Sequence, residues 1–558
     1  MKRLLALSLL WFVAVMAWSQ DMKETYSFKL PHEGDKVFEL AEERNLLLIG
    51  DEKQISLLEA TKGEIKWNAK FKEISARLRS VDEIIPMWDA GVVFLFERKM
   101  GKDQISVIDV LTGKELWATQ KYQNISGDNV VYISEMDAFA VSTKEALTMI
   151  KTKTGEELWS TAKFKGVVGA YVYDAANKYL LMLNYKPTNL AALFTGFKNQ
   201  LVLIDMTNGD IVWETDYRGI VEKKVVTRDP VLKMNVIGER IFLALNGLQI
   251  YKYSNGEKLF TLAYDQSAME AIRSGIPSGY AGHKIVRSTV YNAIADPIID
   301  GNDLYIFDMQ DKRHQFVKKY DLNSGKLIWS SPELKQLTIA PNMYKVGDKI
   351  VLQVGGAAEV QAICENKVQA GQMTIIYYTN HIFYQNYKPY GVMAFNDSDG
   401  TQAWRSERFS KGVTNLFPSD NTVVVCSGKA LYAMDIKTGE EKYEVPLGDD
   451  NINNALRIMD YGNDQVLIVG EKGISAHKKS DGSKIWAVRT KRGDFDGVFG
   501  KTAFYGNDNG DQFAIDCDNG KFTNYDGRKG ARTIQTLDGE YLYILEKKNI
   551  TRAETKPY

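Results

Sequence analysis

Cysteine is nearly missing from this chain. Cys364, Cys426 and Cys517 are the only three in 558 residues, which excludes a disulfide framework and leaves room for one pair at most. Cys426 closes the run Thr-Val-Val-Val-Cys, which reads as the interior of a strand. Proline is scarce too, at 12 residues, so a disordered Pro-rich linker is not expected. Neither sign of charge dominates, with 70 Lys and Arg against 71 Asp and Glu. No long basic run stands out, and nucleic acid is not an expected partner. The five histidines, His32, His283, His314, His381 and His477, lie far apart and show no metal-binding spacing. The stretch Asn507-Asp-Asn-Gly-Asp511 lacks the closing Glu of a calcium loop and reads as a hairpin turn. No Gly-x-Ser-x-Gly elbow or phosphate loop is present.

Long apolar runs are missing except at the start. Lys2 and Arg3, the apolar stretch Leu4 to Val15, and Ala17-Trp18-Ser19 read as an export signal over residues 1–19. The apolar run falls short of the ~20 residues that a membrane-spanning helix needs. No cysteine follows it, so a lipid anchor is not expected. The mature part, 22–558, is expected to have no transmembrane segment.

Glycine, by contrast, is plentiful at 44 residues, and much of it sits in one recurring phrase. A turn dipeptide ending in Gly is followed four residues later by Trp. The pairs are Gly63 with Trp67, Gly113 with Trp117, Gly155 with Trp159, Gly209 with Trp213, Gly325 with Trp329, Gly400 with Trp404 and Gly482 with Trp486. Phe260 follows Gly256, Tyr443 follows Gly439, and Gly520 begins a degenerate copy. Outside the leader, only Trp88 stands off this slot. Such a period fits a four-stranded propeller blade of ~40–50 residues.

The units share one grammar. Around Met234–Leu262, short apolar strands are separated by turns, the last being Asn255-Gly256. Asp109, Asp205, Asp321, Asp435 and Asp516 stand four residues before a motif Gly, placed to bond the turn backbone. The aromatic at Gly+4 falls early on the outermost strand, where it can wedge against the next blade while its N–H meets a carbonyl. After the last motif, the segments near Ala531, Tyr541 and Ile550 give three more strands, and Glu24–Leu30 can supply the fourth. The literal count is ten units plus one shared closing unit, all in one ring, with no exposed edge where the chain ends meet.

Ser106-Val-Ile-Asp109-Val-Leu-Thr-Gly113-Lys-Glu-Leu-Trp117 and Ala433-Met-Asp435-Ile-Lys-Thr-Gly439 resemble the pyrroloquinoline-quinone (PQQ) propeller repeat. The resemblance spans nearly the whole mature chain and implies an all-β propeller, for which eight blades is the family norm. It also implies two classes of activity: quinoprotein dehydrogenases and non-catalytic envelope scaffolds such as BamB. The dehydrogenases carry an adjacent Cys-Cys pair and an acidic calcium cluster. Neither is present here in sequence, so PQQ and calcium are not expected as cofactors. The leading expectation is an exported, non-catalytic scaffold in a bacterial envelope, periplasmic, outer-membrane-associated or extracellular, with a protein partner. A divergent quinoprotein oxidoreductase and a glycan-binding surface protein are the alternatives.

Function is sought where the period stretches. Residues 186–199 and 355–390 fall between the second and third strands of their units, and 264–291 joins one unit to the next. All three therefore leave from the face opposite the Gly turns. They are rich in aromatics, and Phe194, Phe197, Tyr377, Tyr378, His381, Phe383, Tyr384, Tyr387 and Tyr390 are the expected partner-binding residues, on exposed loops.

Overall fold

A computed structural model describes residues 20–556, apart from 100–102, 123–124, 126–128, 144–145, 163–166, 187–197, 218–232, 246, 263–283, 292, 311–313, 335–338, 371–372, 407–408, 420 and 491–492. The expected leader, 1–19, lies outside the described residues.

Among the described residues the chain alternates strand and turn with almost no helix. Among these residues, its strands form eleven sheets, each built on four antiparallel strands. Blades 1 to 10 occupy 37–70, 83–119, 130–161, 167–216, 233–262, 298–330, 343–405, 417–446, 455–489 and 494–525. Blade 11 is composite. Arg532–Gln535, Tyr541–Glu546 and Asn549–Glu554 supply three strands, and Lys23–Lys29 supplies the outermost. The count matches ten motif units and one shared unit, and it exceeds the family norm of eight.

The blades stack face to face. Middle strands such as Leu46–Gly50 and Val92–Glu97 are buried along their whole length, because both faces of the sheet are covered. Leu48 packs towards blade 2 with Val93 and Leu95, while Leu47 and Ile49 pack towards blade 11 with Tyr543 and Leu545. Among the described residues, eleven apolar clusters form in this way, each shared by two consecutive blades. The cluster between blades 11 and 1 closes the circle.

The recurring aromatic is the fastener of each joint. The indole N–H of Trp67 donates to the Val110 carbonyl at 3.0 Å, Trp117 to Thr152 at 2.9 Å and Trp159 to Met206 at 3.0 Å. Trp213, Trp329, Trp404 and Trp486 donate to Tyr253, Asp397, Ile436 and Cys517. Where tyrosine replaces tryptophan, its hydroxyl takes over, and Tyr443 reaches the Lys479 carbonyl at 2.8 Å. In the closing blade Tyr26 does the same to Ala60 at 2.8 Å. The Phe260 ring has no donor but keeps the packing, lying against Gly325.

The motif glycine answers that ring. Gly113 has φ +67°, and a Cβ there would stand 2.8 Å from the Trp67 ring. Glycine is thus required twice, for the left-handed turn and for the close approach. The turn aspartates act as the sequence implies. Asp109 accepts from the Leu111 and Thr112 amides, and Asp435 from those of Lys437 and Thr438.

One joint lacks a fastener. In blade 10, Asn524 stands at Gly520+4, where an aromatic belongs. There Gln20–Asp21 adds a fifth, parallel strand outside Phe522–Tyr525, and the chain then crosses into blade 11. The N-terminal segment ties together the two blades that the repeat leaves unfastened.

Truncating a buried fastener removes both packing and a donor. Trp404→Ala is expected to cost about 3–5 kcal/mol, whereas Tyr443→Phe, which loses only the hydroxyl bond, costs about 1 kcal/mol. Chemical denaturation of the two variants checks this ordering.

Candidate functional site

Two of the three insertions meet in space. The second strand of blade 7 does not stop at the ring but runs for 22 residues, Lys349–Ala370. The third, Met373–Asn396, returns over 24 residues. Together they form an antiparallel arm, paired from Lys349 with Asn396 to Ala370 with Met373. The strand Lys284–Tyr291, from the connection between blades 5 and 6, pairs along the arm's outgoing strand, Lys284 opposite Glu365 and Tyr291 opposite Glu359. The expected loop 355–390 is therefore a strand pair, and part of 264–291 is its third strand. β-Branched and aromatic side chains favour both an extended pair and a recognition loop, and here the backbone pairing decides. Both segments leave from the ends of the blades opposite the Gly turns, since each connection of this kind lies across the sheet from a third-to-fourth-strand turn.

The arm starts at a defined bend. The register shifts between Val354 and Gly356, so that Gly355 forms a bulge. Gly355 has φ +71°, and a Cβ there would stand 2.1 Å from the Pro389 carbonyl oxygen. The bulge is held from beneath. The Gly355 amide donates to Ile339 at 2.9 Å, and Gln353 Nε2 donates to the Gly355 carbonyl at 2.9 Å. Asn342 Nδ2 fixes Gln353 by donating to its Oε1 at 2.6 Å.

The base of the arm belongs to the core. Val290, Ala358, Val360 and Tyr387 are buried with Ile294, Ile339 and Ala340 in the cluster between blades 6 and 7. Tyr387 is 1% exposed and Tyr390 5%. Tyr390 packs into the next joint, with Val413 and Leu416, and the Tyr387 hydroxyl donates to Gln385 at 2.9 Å. These two tyrosines, expected on an exposed loop, are instead core residues, because the arm's first rungs sit within the ring. Tyr377, Tyr378, His381, Phe383 and Tyr384 lie further along the returning strand, opposite Asn366, Glu365, Ala362, Val360 and Glu359. Phe194 and Phe197, with most of 186–199, lie outside the described residues.

An ionic cluster stiffens the same joint. Lys319 Nζ bridges Asp303 at 2.8 Å and Asp397 at 3.0 Å, and the Tyr305 hydroxyl donates to Asp397 at 2.7 Å. Burial opposes the Lys319 charge, but these acids and Tyr305 outweigh it and hold the ammonium above its ordinary range. Asp397 also supplies the carbonyl that receives the Trp329 indole. Sequence reasoning missed this cluster, because its members come from two strands of blade 6 and a turn of blade 7 with no common motif.

A second titratable group lies between blades 8 and 9. His477 Nε2 is 2.7 Å from Asp450 Oδ2, its Nδ1 is 2.9 Å from the Gly482 carbonyl oxygen, and Lys484 Nζ is 3.2 Å from Asp450. Burial pushes the Asp450 carboxyl up, but His477, Lys484 and Ser475 together hold it below its ordinary value. Both side chains are almost fully enclosed, which fits a structural staple with no room for substrate. Cys426 and Cys517 are free thiols, buried in blades 8 and 10. Burial pushes the Cys517 thiol up to about 12, which leaves it a poor nucleophile. Among the described residues, no group of three or more His, Cys, Asp or Glu is placed to hold a metal ion.

Strand order, repeat fasteners and a blade closed by both chain ends define a PQQ-type β-propeller. The sequence profile of the family described as outer membrane protein assembly factor BamB matches residues 16–231 and 313–544, and the chain belongs to that family. A search of curated proteins returned no match. Similar solved structures include BamB from Moraxella catarrhalis, at 10% identity and TM-score 0.29, covering 82% of this chain and 98% of that one. The computationally designed Ika8 protein gives 11% identity and TM-score 0.34, covering 70% and 96%. The dihydro-heme d1 dehydrogenase NirN gives 11% and 0.28, covering 78% and 80%.

Two measurements follow from the site. Gly355→Ala should destabilise by at least about 2 kcal/mol, since strained backbone alone costs about 1–3 kcal/mol and Pro389 blocks the added methyl. The same change at Gly347, which has φ +58° and open space, costs only about 1–2 kcal/mol; thermal melts compare the two. The Asp450 contribution to stability is complete above the ordinary carboxyl value of 3.8 and fades as pH falls through the lower folded value. Asp450→Asn should therefore lose stability at neutral pH and show a shallower acid limb in pH-dependent denaturation.

Proposed function

We propose that this chain is an exported, non-catalytic propeller that serves as a protein-binding scaffold in a bacterial cell envelope. The observation that carries the reading is the arm. Two distant insertions build one sheet on the face opposite the regular turns, while the repeat residues are used up in joining blades. A ring that devotes its repeated slots to fastening and its irregular segments to one projecting sheet is organised for contact with another molecule. Membership of the BamB family supports the scaffold role, and the signal-like start of the sequence supports export. No helix among the described residues is long and apolar enough to cross a membrane.

The partner docks on the arm face. Phe383→Ala with Tyr384→Ala should leave the circular dichroism and melting temperature of the ring unchanged. The double variant should also recover less of the protein that co-purifies with the wild type from envelope fractions. Equal recovery by both proteins would remove the arm from the partner site. Recovery of the wild type only from the cytosolic fraction would remove the envelope role.

A further inference from the structure

The crossover that closes the ring is pinned by one histidine. Residues 30–36 leave the rim strand Lys23–Lys29 of blade 11 and lead to Val37, the first residue of blade 1. The ends of this crossover are tied by backbone. The Leu30 amide donates to the Lys548 carbonyl at 2.6 Å, and the Lys36 amide to the Gly50 carbonyl at 3.0 Å. Between them Pro31, Glu33 and Asp35 are exposed, and His32, at 2% exposure, is the buried side chain.

The contacts of His32 suit its neutral form. Nδ1 lies 2.5 Å from the Glu33 carbonyl oxygen, which can only accept, so Nδ1 carries the hydrogen. Nε2 lies 2.6 Å from the Ser56 hydroxyl of blade 1, which donates to it. Asn68 Oδ1, 3.0 Å from the same hydroxyl, has Gln54 Nε2 as its own donor at 2.7 Å. Each of these polar atoms is served without any charge. A second proton on the ring would bring a buried charge with no close counterion. Among the described residues, the histidines paired with acids are His314 and His477, not His32.

The charges around the ring come from both blades. Burial is the largest influence and holds the imidazole below its ordinary value of 6.5. The Glu33 carbonyl and Asp51, in the turn between the second and third strands of blade 1, pull the other way. Lys548, in the matching turn of blade 11, acts with burial. Beside Asp51, Glu52 and Lys53 pair with each other. Arg532, from the first strand of blade 11, is engaged with the Gly34 carbonyl.

We propose that His32 is an acid-sensitive latch on ring closure: when it takes a second proton, residues 30–36 lift from blade 1 and the joint between blades 11 and 1 loosens. The direction follows from linkage. The latch contributes in full above 6.5, and its contribution is lost as pH falls from there through the lower folded value. Blade 11 is assembled from both ends of the chain, so the loss acts on closure itself. The latch is independent of the arm and of any partner bound there.

Hydrogen exchange read by mass spectrometry on the full chain tests the latch, with rates corrected for the intrinsic effect of pH. Between about pH 8 and about pH 5, peptides covering 30–36 and 541–550 should lose about threefold or more of their protection. Val92–Glu97, in the joint between blades 2 and 3, should keep its protection. His32→Gln retains a neutral hydrogen-bonding group and should abolish the difference. Asp51→Asn leaves His32 in place and removes the charge that favours its second proton, so it should deepen the loss at the lower pH. No loss in the wild type, an equal loss in His32→Gln, or a loss shared by Val92–Glu97 each overturns the proposal. So does an Asp51→Asn protein whose loss is unchanged or shallower, a reading that stands even where His32→Gln fails to fold.

Discussion

The fold depends on one contact repeated at nine of its eleven joints: an aromatic donor on the rim of one blade reaching a turn carbonyl on the next. The ring plane needs a neighbour without a side chain, which the motif glycine supplies, and the donor needs a free carbonyl, which the same tight turn presents. One short phrase thus encodes turn, spacing and adhesion together. The Trp-to-Tyr exchange at Tyr443 and the independent use of Tyr26 show that any flat ring with a donor at its far end serves. Phe260 shows that the packing can stand without the bond, with the apolar cluster between blades 5 and 6 to support it.

Most of this was legible in the sequence because it is local. The strands read around Met234–Leu262 correspond to Lys233–Ile237, Arg240–Leu245, Gly247–Lys252 and Lys258–Leu262, since Gly and Asn punctuate each turn. The composite closing blade was legible for a simpler reason: three strands at one end of a repeat array need a fourth, and the other end offered one. The arm was not legible. Its aromatics fit a contact loop and a strand equally well, and Gly371 is the one glycine between the two long strands. Its third strand comes from far away in sequence, so no local pattern announces the pairing. Tyr387 and Tyr390 were misplaced for the same reason, since their burial depends on elements of blades 6 and 8 that no nearby residue reveals.

The arm is anchored at the joint between blades 6 and 7, which holds the largest apolar cluster among the described residues. A long lever anchored at one blade transmits any force on its tip to its base. There, the largest apolar cluster, the Lys319 bridge to Asp303 and Asp397, and the Gln353 clasp on the Gly355 bulge act together.

The placement of Lys23–Lys29 against Asn549–Glu554 sets the order in which the molecule can be completed. The rim strand of the last blade is synthesised long before its partner. The Lys23 to Glu554 ion pair spans 531 positions. Blades 1 to 9 can each form from a continuous stretch, with contacts that are short in sequence and quick to find. The circle itself can be shut only once Asn549–Glu554 has been made. Until then the early strand waits unpaired, and closure becomes the slow, committed end of folding.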